Sequence, residues 1–240
     1  MKAVTPWFVV NQTKLSFAMK NEYWQQKWQS NDIGFNQEKP NKLLQRYLGL
    51  LNLKPGDRIF VPLCGKSVDM LWLASQGYDI VGIELSPIAC EAFFHEYDIP
   101  VDVIKKDNVT LFQSEKIVLI AGDFFELNKS MLGQVDAVYD RAAVIALPAR
   151  LRQRYARHLV KLLDKNAQML LLTTSYNQSE MKGPPFSVDV HEVTMLYGAD
   201  CTIKQTYCKP IKIIPTHLQM KGLLNACEHV YHLGRKPCSL

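Results

Sequence analysis

A carboxylate, Glu84, ends the short apolar segment Asp79–Glu84, whose pattern predicts a β-strand. In a doubly wound sheet, an acidic residue roughly 20 positions after the first loop accepts hydrogen bonds from the ribose hydroxyls of a nucleotide. A charged carboxylate accepts such a pair of bonds better than a neutral side chain does. A surface carboxylate at a strand end is the alternative interpretation, and the position of Glu84 in a βαβ unit favours nucleoside binding.

The loop Cys64–Ser67 follows another predicted strand and contains one glycine, Gly65. A dinucleotide site needs G-x-G-x-x-G, so that backbone N–H groups and a helix N-terminus meet the pyrophosphate. S-adenosyl-L-methionine carries a nucleoside and a sulfonium but no phosphate. It therefore needs close backbone approach without a phosphate cradle, and the loop favours it over NAD as the cofactor.

Strand-like and helix-like segments alternate along the chain. Strands are predicted at 58–63, 79–84, 117–121, 135–139, 168–173, 202–208 and 226–233. Helices are predicted at 17–28, 41–50, 68–77, 87–97 and 148–163. This alternation predicts an α/β fold with a mostly parallel sheet and helices on both faces. The short link Lys209–His217 predicts an antiparallel hairpin at the sheet edge.

The composition is that of one globular domain. The 240 residues are 48% hydrophobic and 21% charged, and no apolar run approaches the roughly 20 residues that cross a bilayer. The apolar stretch Pro6–Val10 is interrupted by Asn11 before a signal-peptide core is complete. We therefore expect a cytoplasmic protein that is neither secreted nor bound to a membrane.

Charge and cysteine usage narrow the function further. The net charge of +5 is mild and the basic residues are scattered, which does not support nucleic-acid binding. The six cysteines have no zinc-type spacing, so we expect reduced thiols and no metal. His229 and His232 are three apart in a predicted strand, which places them on opposite faces and argues against a shared metal.

Several motifs resemble the thiopurine S-methyltransferase family, and most closely its bacterial members. They are Trp24 and Trp28 followed by Ile33–Phe35, then Val61–Lys66, Met70–Trp72, Gly77, Val81–Glu84, Asp140–Arg141 and Gly183–Phe186. The motifs span roughly residues 20 to 233 in the family's order. The resemblance implies a Rossmann-like, seven-stranded S-adenosylmethionine-dependent methyltransferase fold, working as a monomer.

The resemblance also bears on the domain boundary. The family pattern begins a few residues before the first tryptophan, so Met19 is a candidate natural start. We therefore expect a single methyltransferase domain over residues 19–240. Residues 1–18 are then an N-terminal extension, with no fixed structure, that adds nothing to the fold.

The resemblance implies cofactor contacts from Trp24, Trp28, Phe35, Leu63, Glu84, Asp123, Phe124 and Arg141. An indole face near the sulfonium gains about 0.5 to 2 kcal/mol by cation–π attraction, although two tryptophans four apart also suit simple core packing. Leu63 would offer a carbonyl and an apolar wall. Asp123 and Phe124 would bracket the adenine, and ordinary strand-end packing is their alternative interpretation.

Arg141 and Asp140 are the predicted catalytic residues, because they end the next strand at the expected mouth of the site. Transfer from a sulfonium to a thiolate is an in-line displacement that needs alignment more than a metal or a strong base. Arg141 would then hold the anionic acceptor. A purely structural Asp–Arg pair is equally consistent with the sequence.

Two other functions compete with thiol methylation. A small-molecule O- or N-methyltransferase would need a placed base such as His191 or His217, and the sequence places neither. A cofactor-binding regulatory protein would keep the fold without turnover. The presence of Glu84 and Arg141 argues against this second reading.

The acceptor end departs from the animal members of the family, which carry an Arg-rich segment before the final strand. This chain has Lys209–His217 there, and Lys212 or His217 would have to supply the basic contact. Neither offers arginine's planar fork. We therefore expect a permissive apolar pocket, lidded by Gly183–Phe186 and the N-terminal helix. It would accept small aromatic or heterocyclic thiols and, as the resemblance to bacterial members implies, selenium or tellurium species at least as readily as thiopurines.

Overall fold

The structure is a computed structural model that describes residues 22–106 and 108–236. The predicted extension over residues 1–18 lies outside the described residues. The described chain forms one nine-stranded sheet in the order β3-β4-β5-β2-β1-β6-β7-β9-β8. The strands are β1 (Arg58–Pro62), β2 (Asp79–Glu84), β3 (Asp102–Lys106), β4 (Val109–Gln113), β5 (Ile117–Ala121), β6 (Ala137–Arg141), β7 (Gln168–Ser175), β8 (Cys201–Pro210) and β9 (Cys227–Arg235).

Helices connect and cover the strands. They are α1 (22–29), α2 (Lys42–Tyr47), α3 (Val68–Ser75), α4 (Pro87–Glu96), α5 (Lys129–Leu132), α6 (Ala149–Leu162), α7 (Val190–Tyr197) and α8 (Thr216–Gln219). Ser67 caps α3 as predicted, because its hydroxyl accepts the backbone N–H of Asp69 at 3.3 Å. Pro87 stands in the first turn of α4, where its missing N–H costs nothing.

The five central strands, β5, β2, β1, β6 and β7, are parallel, and their side chains alternate between two hydrophobic layers. Leu171 and Tyr231 belong to the layer that packs on α6 and α7. Leu172 and Val230 belong to the opposite layer, with α2, α3 and α4. The carboxyl ends of all five parallel strands meet at one edge of the sheet, which is where doubly wound folds bind ligands.

The predicted fold class is confirmed, and the predicted count of seven strands is wrong. The antiparallel hairpin β8–β9 closes one end of the sheet as expected. The unexpected strands β3 and β4 form a second antiparallel hairpin at the other end. The sequence of β3 places two apolar residues side by side and two lysines after them, without alternation, and all five residues are exposed.

Other predicted features can be compared directly with the described residues. No helix among them is long and apolar enough to cross a membrane. They contain no group of three or more His, Cys, Asp or Glu side chains arranged to hold a metal ion. His229 and His232 bond different partners, Ser175 at 2.7 Å and Gln168 at 2.6 Å. Residues three apart on a strand do face opposite ways here.

Candidate functional site

A cavity of about 960 Å³ opens at the carboxyl ends of the parallel strands. The segments after β1, β2, β5, β6 and β7 form its floor, and β9 forms one wall. Helix α1, Pro184–Phe186 and the segment 215–221 cover it. This volume lies within the range that small-molecule sites occupy, roughly 300 to 1,000 Å³.

The backbone is strained at two points in the floor of the cavity. Leu63, after β1, has a φ of 47°, and Ala142, after β6, has a φ of 65°. Side chains with a Cβ rarely adopt this left-handed region, and such strain collects at functional sites because the surrounding structure must enforce it. Gly65, with a φ of 53°, continues the first turn and brings its backbone close to Trp28.

Glu84 lies in the cavity lining at the end of β2, where it is 6% exposed. Its Oε2 accepts the backbone N–H of Gly65 and its Oε1 accepts that of Ser86, both at 2.9 Å. Burial raises the pKa of the Glu84 carboxyl, and the hydrogen bonds from the backbone oppose that rise. The carboxylate therefore ties the first loop to the second, and each oxygen keeps a lone pair for a ligand.

Three of the predicted aromatic residues come together at the cover of the cavity. Trp24 and Trp28, on α1, each meet the ring of Phe35 edge to face at 5.5 Å. A Cβ added at Gly65 would lie 3.1 Å from the Trp28 ring, so the indole rests on the first loop. The tryptophans thus pack against protein and line the cavity at once.

Asp123 and Phe124 also line the cavity, after β5. Asp123 Oδ1 accepts the backbone N–H of Phe125 at 2.8 Å, and no described residue donates to Oδ2. The Phe124 ring is 2% exposed and lies 4.8 Å from that of Tyr155, so it is mainly a core residue. Phe125, which sequence analysis did not single out, lines the cavity beside it.

Arg141 points into the cavity from the end of β6 and is held by a buried anchor. Its Nε donates to Asp69 Oδ2 at 3.1 Å and its Nη2 donates to Ser67 Oγ at 2.9 Å. Asp69 is fully buried and also accepts the hydroxyl of Tyr139 at 2.9 Å and the backbone N–H of Asn41 at 2.7 Å. These bonds fix the guanidinium and leave its Nη1 without a partner among the described residues.

The structure corrects the expected placement of Asp140, which is fully buried and lies outside the cavity lining. Successive side chains of a strand point to opposite faces, so Asp140 faces α6 while Arg141 faces the cavity. Its carboxylate accepts the hydroxyl of Tyr155 at 2.7 Å and the backbone N–H of Val144 at 3.3 Å. Burial raises the pKa of Asp140 to about 6. The alternative of a structural Asp140–Arg141 pair is excluded, because the partner of Arg141 is Asp69.

Sequence analysis missed several groups that the fold brings to the cavity. Lys221 and Glu228 line it, as does the predicted candidate His217. Burial lowers the pKa of His217. Lys212 is not part of the lining. Asp69 and Glu228 belong to no recognisable sequence motif. Asp69 reaches Arg141 through the packing of α3, and Glu228 reaches the cavity through the pairing of β9.

The family model of thiopurine S-methyltransferase (TPMT) matches residues 19–236. A thiopurine S-methyltransferase of Nitrosospira multiformis is 42% identical over 215 residues, which cover 90% of this chain and 98% of the relative. This chain belongs to the thiopurine S-methyltransferase family. The predicted enzyme class, an S-adenosyl-L-methionine-dependent thiol methyltransferase, and its cofactor follow from this membership.

Solved structures show that this member of the thiopurine S-methyltransferase family has the fold of SAM-dependent methyltransferases. One such methyltransferase from Anabaena variabilis gives a TM-score of 0.63 at 15% identity, covering 90% of this chain and 95% of that one. The magnesium protoporphyrin IX methyltransferase of Synechocystis, solved with bound SAH, gives 0.61 at 12% identity, covering 90% and 100%.

The residues at the cofactor end suit the S-adenosyl-L-methionine that this family uses. Glu84 offers lone pairs at the position where doubly wound folds bind ribose hydroxyls. Asp123 Oδ2 has no donor among the described residues, and Trp24 presents an indole to the same cavity. The donor set contains carboxylates and aromatic faces and no phosphate cradle, which matches a nucleoside cofactor without phosphate.

Proposed function

We propose that this enzyme transfers a methyl group to the sulfur of small aromatic or heterocyclic thiols, and to selenium or tellurium species. One observation carries the proposal. The guanidinium of Arg141 is fixed by Asp69 and Ser67, its Nη1 has no partner among the described residues, and its side chain lines the same cavity as Glu84. A rigid cation beside the cofactor end suits a small anionic acceptor.

When bound, S-adenosyl-L-methionine would supply the methyl group from its sulfonium, and the electron pair of the breaking methyl–sulfur bond would remain on that sulfur. The protein's task is to bring the acceptor sulfur into line with that methyl and to exclude water. Arg141 stabilises the thiolate before attack, and Asp69 holds Arg141 at a fixed depth. Trp24, Trp28 and Phe35 close the cavity over the reactants.

The acceptor end supports a broad range of small acceptors. Pro184, Pro185 and Phe186 form an apolar side of the cavity, while His217 and Lys221 bring basic groups from its cover. A histidine with a lowered pKa and a single lysine provide no planar fork to grip a purine ring in one orientation. We therefore propose that small arenethiols and selenols compete well with thiopurines.

Methyl transfer from labelled S-adenosyl-L-methionine tests the proposal, with a thiopurine and an arenethiol or areneselenol present at equal concentrations. Comparable incorporation into both acceptors is the expected result, and a strong preference for the thiopurine would overturn the broad-acceptor proposal. The panel also includes a phenol and an aromatic amine, because methylation of oxygen or nitrogen would need a base in the cavity. His217 lines the cavity and could be that base, whereas His191 is exposed on α7.

The same panel separates the rival functions. Faster methylation of the phenol or the amine than of any thiol would identify an O- or N-methyltransferase. Tight cofactor binding without transfer to any acceptor would identify a regulatory binding protein. We also propose that the working unit is a monomer, and sedimentation of the active enzyme would check this.

A further inference from the structure

Glu228, on β9, is a charged residue of the cavity that has no role in the methyl transfer proposed above. It lines the cavity and is partly buried. It forms no hydrogen bond or ion pair with any described residue. A carboxylate that faces a ligand cavity without a protein partner is costly unless a ligand or water satisfies it.

The strand register places Glu228 on the same face of the sheet as Arg141. Arg141 pairs with Leu172 of β7, and Glu228 pairs with Thr174 two residues further along that strand. Leu172 and Val230 lie in one hydrophobic layer, so Thr174 and Glu228 continue its face.

The spacing suits an acceptor bound between the two charges. One strand separates β6 from β9, so the backbones that carry Arg141 and Glu228 are about 10 Å apart across the sheet. The acceptor would then bind between their side chains. Glu84 lies at the cofactor end, two strands from Arg141 on its other side. The order Glu84, Arg141, Glu228 therefore runs from the cofactor end to the acceptor end.

We infer that Glu228 is the base that removes the proton from acceptors that reach the site as neutral thiols. This inference rests on the proposed function. Arenethiols arrive largely ionised, but an alkyl thiol is only a few per cent thiolate near pH 7. Such acceptors need a base, and Arg141 cannot serve because it stays protonated.

The Glu228 carboxylate takes the proton of the acceptor S–H, and the electron pair left on sulfur forms the new bond to the methyl carbon. The old bond from that carbon to the sulfonium breaks, and its pair neutralises the departing sulfur. Glu228 then returns its proton to water after the methylated product has left the cavity. Arg141 stabilises the thiolate between proton removal and attack.

The electrostatic surroundings support this role. Burial raises the pKa of the Glu228 carboxyl, which makes it a stronger base than an exposed glutamate. Charged groups face it from several elements: Lys209 is its cross-strand neighbour on β8, and Arg141, His217 and Lys221 line the same cavity. None of them forms an ion pair with Glu228 that would quench its basicity.

Two thiols of similar size but different acidity test the inference in the full-length enzyme: thiophenol and phenylmethanethiol. For Glu228→Gln, kcat/KM with phenylmethanethiol is expected to fall about 100-fold, a typical general-base contribution, and with thiophenol to change by less than about threefold. The exposed Glu115→Gln is the matched control and should change neither value. An equal loss with both thiols, or no loss with either, overturns the inference.

The wild-type enzyme gives a second test that needs no variant. With Glu228 as the base, kcat/KM for phenylmethanethiol levels off above the pKa of the carboxyl, well below the pKa of the thiol. Without a base, it climbs about tenfold per pH unit up to the pKa of the thiol itself, because only the thiolate reacts. That climb would overturn the inference even if Glu228→Gln failed to fold.

Calorimetric titration with S-adenosylhomocysteine adds a readout that does not depend on turnover. Glu228→Gln is expected to bind this product as tightly as the wild type, because Glu228 lies at the acceptor end. Failure of the proposed function has a different signature, since the wild-type enzyme would then methylate neither thiol. Methylation by the wild type with identical thiol selectivity in Glu228→Gln refutes only the role of Glu228.

Discussion

Replacing Glu84 with glutamine probes the cofactor end directly, because the new side chain has nearly the same size in a position that is 6% exposed. An ionised carboxylate offers about four lone pairs. The backbone N–H groups of Gly65 and Ser86 use two of them, which leaves two for the ribose hydroxyls. Glutamine keeps one acceptor oxygen but replaces the other with an NH₂ group, which cannot accept a hydrogen bond from a ribose hydroxyl or a backbone N–H.

The magnitude follows from the number and the charge of these bonds. Hydrogen bonds to a charged group contribute about 1.5 to 3 kcal/mol, and Glu84→Gln removes one ribose bond and the charge of the other. We expect the Kd for S-adenosyl-L-methionine to rise about 10- to 150-fold. Thermal stability should change little, because two effects oppose each other. The amide loses one hydrogen bond from a loop backbone N–H, but it avoids the cost of burying a charge, which also raises the pKa of the carboxyl.

Isothermal titration at about pH 8 measures the effect, because burial raises the pKa of the carboxyl and a pH well above the ordinary glutamate range favours its ionised form. Glu91→Gln is the matched control. It removes the same charge from an exposed position on α4, so it reports the long-range effect of net charge on a cationic cofactor. If folded Glu84→Gln binds within about twofold of the wild type, the assignment of the ribose site to β2 is wrong.

Three further outcomes follow from the packing. Arg141→Lys keeps the positive charge but loses the planar guanidinium that binds both Asp69 and Ser67. Turnover should therefore fall about tenfold, while the Kd for the cofactor stays unchanged. A parallel loss of cofactor affinity would contradict this. The folded-state pKa of Asp140, about 6, exceeds its ordinary 3.8. Its contribution to the free energy of unfolding is therefore complete below about pH 4 and lost as pH rises through about 6, by roughly 3 kcal/mol. Chemical denaturation of Asp140→Asn should lack that dependence. Gly82→Ala would set a Cβ 2.7 Å from Cys64 Sγ, and a loss of about 1 to 3 kcal/mol in urea melts is expected; an unchanged midpoint would mean that the core yields.

Much of the site was predictable because it lies where strands end. Glu84, Asp123 and Arg141 each follow an apolar run that reads as a strand, and the carboxyl ends of parallel strands converge. The resemblance to the family added Trp24 and Phe35, whose spacing alone does not distinguish a cofactor contact from packing. Strand β3 escaped prediction because its residues show no alternation of polar and apolar types, and its partner β4 was missed as well.

The sequence by itself determined the α/β order, the single-glycine loop and the acidic residue at the end of β2, because these depend on residues close together in the chain. Only the tertiary structure decided which charges meet. Asp69 binds Arg141 from 72 positions away, and Asp140, next to Arg141 in the chain, faces the opposite layer. Glu228 reaches the cavity through the pairing of β9 with β7. Such long-range contacts depend on sheet register and helix packing, and neither leaves a local pattern in the sequence.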